Sequence, residues 1–244
     1  VNQSLYPNPH TQGCPWYEWA ESFGASAFKY CEPTVCSWVS EPANTYSNIF
    51  YFLAAGFVLA RPAVQGRWHL QFFGLSLAVV GLCSTLYHAA NIWPLQFLDF
   101  VGMYTSILFV IAMGLVQNRL IPARHFWWFY GLAFAGFSAL TALFYYFGIN
   151  FRYNVAVIAL AVLGLESFYH FVRHRPGRYY VFLVCMALVG FGNVFSTMDL
   201  QRVWCNPAAK WFFGHAIWHL LTALGLGISI LHWEKAYSCR KIGK

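Results

Sequence analysis

The chain has 244 residues, of which 59% are hydrophobic, 20% aromatic and only 9% charged. A water-soluble domain usually carries about a quarter charged residues, so this composition excludes an ordinary soluble enzyme and points to a membrane protein. The formal charge of +7 does not indicate a nucleic-acid partner, because the basic residues lie in short loops between apolar segments and not on one face.

Residues 1–43 form a polar and aromatic lead-in containing Cys14, Cys31 and Cys36 and four glutamates. It has no apolar core of the kind a cleavable signal needs, and the first span is expected to act as the insertion signal. Seven apolar segments follow, near 44–60, 68–88, 94–116, 125–147, 151–172, 178–199 and 210–233. Each is long enough to cross a hydrocarbon core about 30 Å thick, and in lipid such segments must be helices. The expected architecture is an all-α membrane protein: an extracytoplasmic segment (1–43), one domain of seven transmembrane helices (44–233) and a basic cytoplasmic tail (234–244).

Lysine and arginine set the orientation. Eleven of the fifteen fall on one side: Arg61, Arg67, Arg119, Arg124, Arg173, Arg175, Arg178, Lys235, Arg240, Lys241 and Lys244. The other four, Lys29, Arg152, Arg202 and Lys210, fall on the opposite side. The positive-inside rule then places the N-terminus outside and the C-terminus in the cytoplasm.

With this topology several polar residues share one depth near the outer face. His88 ends the second span. Asp99 lies about five residues into the third span if Pro94 opens it, roughly 7 to 8 Å below the entry point. His215 and His219 occupy the first turns of the seventh span, four apart and therefore on one helix face. Two imidazoles so placed can hold a metal ion but cannot complete a catalytic zinc site, so a third ligand must come from elsewhere. Ser84 precedes His88 by one helical turn and shares its face. A carboxylate within an apolar span is costly and needs a cation or donors beside it, which marks Asp99 as functional. His69, His125, His170, His174 and His232 lie near the basic ends and read as interfacial residues. Glu166 is expected to pair with His170 or Arg173. Asn193, Ser196 and Asp199 approach the outer face on the sixth span, where they could line a cavity.

Ser84-Thr85-Leu86-Tyr87-His88, then Leu95-Gln96-Phe97-Leu98-Asp99, then Gly214-His215-Ala216-Ile217-Trp218-His219 resemble the alkaline ceramidases. So do Tyr30-Cys31-Glu32 and Glu41-Pro42-Ala43-Asn44-Thr45-Tyr46-Ser47-Asn48. These enzymes belong to a wider superfamily of seven-helix membrane hydrolases that includes the adiponectin and progestin receptors. The resemblance implies a zinc ion held by His88, His215 and His219, with the fourth position open for a water that attacks the amide carbonyl of ceramide. It implies Asp99 as general base, passing the proton to the leaving sphingoid amine, and Ser84 orienting the water or stabilising the oxyanion. The partner is then a membrane lipid, ceramide or a similar N-acyl lipid, met at an active site near the extracytoplasmic or luminal side.

The resemblance also implies a calcium site in the lead-in, for which Glu32 and Glu41 are the candidate oxygen ligands, with Glu18 or Glu21 contributing. Lys29 stands where an aspartate is expected, and calcium wants six to eight oxygens. The alternative is that Glu41 caps the first helix while Lys29 pairs with a glutamate. Cys14, Cys31, Cys36 and Cys205 all fall on the outer side, where disulfides persist. Cys31–Cys205 is the preferred bridge and Cys14–Cys36 a second, although four cysteines allow three pairings. The main alternatives to a ceramidase are a hydrolase of another lipid amide or an ester, a seven-helix receptor with a structural zinc, and a proton or metal transporter. A transporter would spread its ionisable groups along a path, and here they gather at one level.

Overall fold

The computed structural model describes residues 5–172 and 178–236. Arg173, His174, Arg175, Cys239, Arg240, Lys241 and Lys244 lie outside them. The described residues form helices and no strand, apart from one antiparallel bridge between Ala25 and Ile92. In chain order the helices are α1 (Tyr17–Phe23), α2 (Pro42–Tyr46), α3 (Ile49–Leu59), α4 (Trp68–Ala90), α5 (Trp93–Gln117), α6 (Phe126–Phe147), α7 (Arg152–Phe171), α8 (Tyr179–Leu200) and α9 (Gly214–Ala236).

Six of them, α4 to α9, are long and apolar enough to cross a membrane. The expected first span is divided into α2 and α3, joined by a tight turn at Ser47 and Asn48. Asn48 N–H donates to Thr45 O and Tyr51 N–H to Asn48 O, so the chain keeps turning without a continuous ladder. Both asparagine amides of this stretch bond locally: Asn44 Nδ2 to Glu41 Oε2, and Asn48 Nδ2 to the Asn44 carbonyl. Such side chains compete with the regular ladder, which accounts for a break that hydropathy does not report. The proline at the start of α5 occupies its second position, one residue later than the spacing suggests.

Helix association inside lipid depends on close packing and on polar bonds between helices. The most extensive pair is α8 against α9. Glycines permit this approach: a Cβ at Gly214 would lie 2.4 Å from the Phe195 carbonyl, and one at Gly225 would lie 3.0 Å from the Cys185 carbonyl. Tyr104, Thr141 and Asn154 join α5, α6 and α7 through hydrogen bonds of 2.7 and 3.2 Å at the Thr141 hydroxyl. Tyr51 and Thr222 join α3 to α9. At the end opposite the N-terminal segment, Arg61 grips the Glu234 carboxylate through Nε and Nη2. Glu166 pairs there with His232 at 3.0 Å, both buried, and not with His170; the expected alternative, Arg173, lies outside the described residues.

The N-terminal segment is fixed by what the end of α4 requires. A helix leaves its last four carbonyls without intrahelical partners. Here Asn91 N–H takes Tyr87 O, Glu41 N–H takes His88 O, Ser40 N–H and Oγ–H take Ala89 O, and His10 Nε2 takes Ala90 O. Asn91 itself adopts a left-handed conformation, φ 52°, which turns the chain sharply into α5. Two disulfides complete the attachment, Cys14–Cys36 and Cys31–Cys205, the latter spanning 174 residues.

Cys205→Ser is expected to lower stability by about 2–5 kcal/mol, because the bridge closes a very long loop of the unfolded chain. Thermal unfolding in detergent measures this. An unchanged midpoint would mean that the hydrogen bonds to α4 hold the segment unaided.

Candidate active site

The N-terminal segment brings Glu41 to α4, the α2–α3 turn brings Ser47 to α9, and α8 brings Ser196 to the start of α9. Each of these residues grips one histidine. Glu41 Oε2 accepts from His88 Nδ1 at 2.7 Å, Ser47 Oγ lies 2.7 Å from His219 Nδ1, and Ser196 Oγ lies 2.9 Å from His215 Nδ1. The Ser47 hydroxyl donates its one proton to the Asn44 carbonyl at 3.0 Å, so toward His219 it can only accept. Ser196 Oγ accepts from Arg152 Nη2 at 3.2 Å, and the Glu41 carboxylate is an acceptor. The network therefore assigns the proton to Nδ1 in His88 and His219 and leaves their Nε2 atoms with free lone pairs. Ser196 keeps a proton of its own, so His215 can take either tautomer, and its Nδ1–H form frees the third Nε2.

These lone pairs converge. His88, His215 and His219 are buried, and each offers a ring nitrogen within 4.8 Å of the others. His88 Nε2 and His215 Nε2 lie 3.1 Å apart, and in the Nδ1–H form of His215 both present lone pairs. A tetrahedral zinc with bonds of about 2.0–2.1 Å would separate its nitrogen ligands by about 3.3 Å. Three neutral imidazoles, each oriented through its outer nitrogen, are a donor set that fits a metal ion.

The start of α9 is positioned by Asp199, whose carboxylate accepts from His215 N–H at 3.1 Å and from Cys31 N–H at 2.6 Å. It is wholly buried and caps the helix instead of lining the cavity. Cys31 is thereby held in place, and the preceding Tyr30 stacks on His215 with 3.6 Å between ring centroids.

Beside the histidines lies a cavity of about 340 Å³ bounded by α4, α5, α7, α8 and α9. Ser84 and Asp99 both face it, as do Asn193, Ser196, Tyr30 and Arg152. Ser84 lines the cavity beside Asp99, and its hydroxyl lies 3.5 Å from His219 Nε2. The rest of the wall is mostly apolar. A second apolar pocket of about 70 Å³ shares Ala159, Met186 and Val189 with it, extending the space along the helices.

Glu32 and Glu41 sit behind His88 and turn their oxygens to N–H donors. Glu32 accepts from the Ala43 and Asn44 amides at 2.6 and 2.8 Å, capping α2, and burial pushes its carboxyl up to about 7. Glu41 accepts from His88, Asn44 and Asn91. Glu18 and Lys29 are exposed, and Glu21 bonds to Asn8. The buried carboxylates are two, both turned to N–H donors, and Lys29 stands where a third is expected, so the set supplies fewer side-chain oxygens than the six to eight a calcium ion takes. Sequence reasoning missed Ser47, Tyr30 and Arg152, and it placed Ser196 at the cavity without its bond to His215. For Ser47 and Tyr30 a signal was present, because each stands in one of the quoted motifs. Arg152 registered only as a loop charge.

Glu41→Gln keeps the shape beside His88 but removes the charge that favours its Nδ1–H tautomer. Metal affinity is expected to fall by about 10- to 100-fold, as is common when the partner of a ligating histidine is changed. Competition with a chelator measures it, and unchanged affinity would remove Glu41 from the metal's support.

No curated protein matches the sequence. A family model described as Ceramidase matches residues 23–244, a stretch that includes all three histidines, Ser84 and Asp99. The chain belongs to the ceramidase family.

Proposed function

We propose that the protein is a zinc-dependent intramembrane amidase that cleaves ceramide into a sphingoid base and a fatty acid. The observation that carries this reading is the convergence of three buried imidazole nitrogens beside Asp99 and Ser84 at one cavity. Family membership supports the substrate class.

His88, His215 and His219 would hold the ion. Once bound it supplies Lewis acidity, which lowers the pKa of a water ligand from near 16 to about 7. Asp99 acts as general base toward the attacking water and returns the proton to the departing amine as the C–N bond breaks. Ser84, which faces the cavity beside Asp99, orients the water or offers a hydroxyl to the carbonyl oxygen as its charge grows. The buried setting keeps competing water away, and the apolar walls suit two long hydrocarbon chains.

The lipid's route is the seam between α7 and α8. Both helices line the cavity, and α7 packs mainly on α5 and α8 on α9. Among the described residues hydrogen bonds join the two near their ends, Arg152 to Asn193, Ser196 and Thr197, and Ser167 to Tyr179. In this reading α2 and α3 together form the first of seven spans, and the site faces the extracytoplasmic or luminal side. Both disulfides lie at that end, which suits an oxidising compartment, while Arg61, Arg67, Arg119 and Arg124 lie at the other.

Metal analysis of purified protein is expected to give about one zinc per chain, sharply reduced in His215→Ala. Labelled ceramide should release fatty acid, and Asp99→Ala should lower kcat by about 10²- to 10⁴-fold while retaining the metal. Release that survives Asp99→Ala would refute its role as base. Zinc without turnover on a panel of ceramides and other N-acyl lipids and esters would favour the receptor reading.

A further inference from the structure

Arg152 is the first residue of α7 and lines the same cavity as Asp99. Its Nη2 donates to three neutral oxygens on α8: Asn193 Oδ1 at 3.2 Å, Ser196 Oγ at 3.2 Å and Thr197 Oγ1 at 3.3 Å. It pairs with no carboxylate among the described residues. One nitrogen of the fork is thus tethered, while Nε and Nη1 have no acceptor among the described residues. A guanidinium carries five N–H donors and needs an anion most where water is scarce.

Tyr30 stands nearby. Its ring is clamped on His215, and its hydroxyl has no hydrogen-bond partner among the described residues, although the residue lines the cavity. A phenol carries its proton at neutral pH and can donate it. Arg152 is close enough to act electrostatically on both Tyr30 and His215. Below these groups the wall is apolar, with Val155, Leu160 and Met186 among its residues.

We propose that Arg152 and the Tyr30 hydroxyl form a carboxylate subsite in this cavity, whose ligand is the ionised head of a long-chain fatty acid. A guanidinium fork matches a carboxylate's two oxygens, whereas a neutral lipid hydroxyl would leave its charge unmet. The inference rests on the hydrolase reading for the ligand's origin, since amide cleavage leaves a fatty-acid carboxylate here. Binding itself requires no turnover.

The test is calorimetric titration of the purified protein in detergent, at alkaline pH, with oleate and with oleyl alcohol. The metal-loaded and the chelator-treated protein are both titrated. Wild-type protein is expected to bind the acid at least about tenfold tighter than the alcohol, with and without metal. Arg152→Gln should bring the two ligands to similar affinity, and Arg152→Lys should retain part of the preference. Tyr30→Phe, which keeps the stacked ring, should weaken the acid alone by about three- to tenfold.

Full acid preference in Arg152→Gln overturns the proposal. So does a wild-type preference that vanishes on chelation, since the ion would then be the carboxylate's partner. Should Arg152→Gln fail to fold, Tyr30→Phe decides: equal weakening of both ligands, or of neither, overturns the subsite. An intact carboxylate preference in a protein that cleaves no ceramide would sink the hydrolase reading and leave the subsite standing. Turnover without any acid preference would do the reverse.

Discussion

An imidazole can ligate a metal only through a nitrogen that carries no proton, and it has two nitrogens to choose between. For His88 and His219 the fold settles that choice from behind. Glu41 and Ser47 each take one Nδ1–H and Ser196 meets the third Nδ1, so the grips come from two stretches of chain, residues 41–48 and α8. The bundle therefore has to bring six residues into register, three ligands and three partners, before any chemistry is available. Much of the remaining architecture serves this end: the break between α2 and α3 at Ser47, the close packing of α8 on α9 at Gly214, and the cap that Asp199 places on α9.

The N-terminal segment illustrates how a requirement of secondary structure becomes a requirement of the site. The carbonyls at the end of α4 need donors, and backbone groups of residues 40 and 41 supply two of them. The strand of chain that satisfies His88 O also carries the carboxylate that receives His88 Nδ1–H. Glu41 thus serves the helix end through its backbone and the ligand through its side chain. Its neighbour Glu32 caps α2 and so fixes the angle at which Glu41 leaves the segment.

Much of this was legible in the sequence where the signal is periodic. A four-residue spacing puts His215 and His219 on one face, and counting along apolar spans puts His88 and Asp99 at the same depth. The pairs that depend on the path of an aperiodic segment were not legible. Nothing local to Tyr30 announces that it lies flat on His215, and nothing local to Ser196 announces His215 as its partner. Glu166 was expected to bond within its own helix turn, but a helix in a bundle can bond across to its neighbour, and it meets His232 on α9. The division of the first span escaped hydropathy because polar side chains, and not apolar content, interrupt the ladder there. Arg152 sits in the first turn of α7, where a charge is unremarkable, and only its long stem carries the guanidinium to the cavity.

The seam between α7 and α8 has a kinetic consequence. A catalyst reached sideways from the bilayer encounters its lipid in two dimensions, and the relevant concentration is the mole fraction in one leaflet, not the amount per volume of buffer. Adding inert lipid or detergent would then dilute the substrate at constant molarity and slow turnover. Rates for this protein would be comparable between preparations only at matched surface composition.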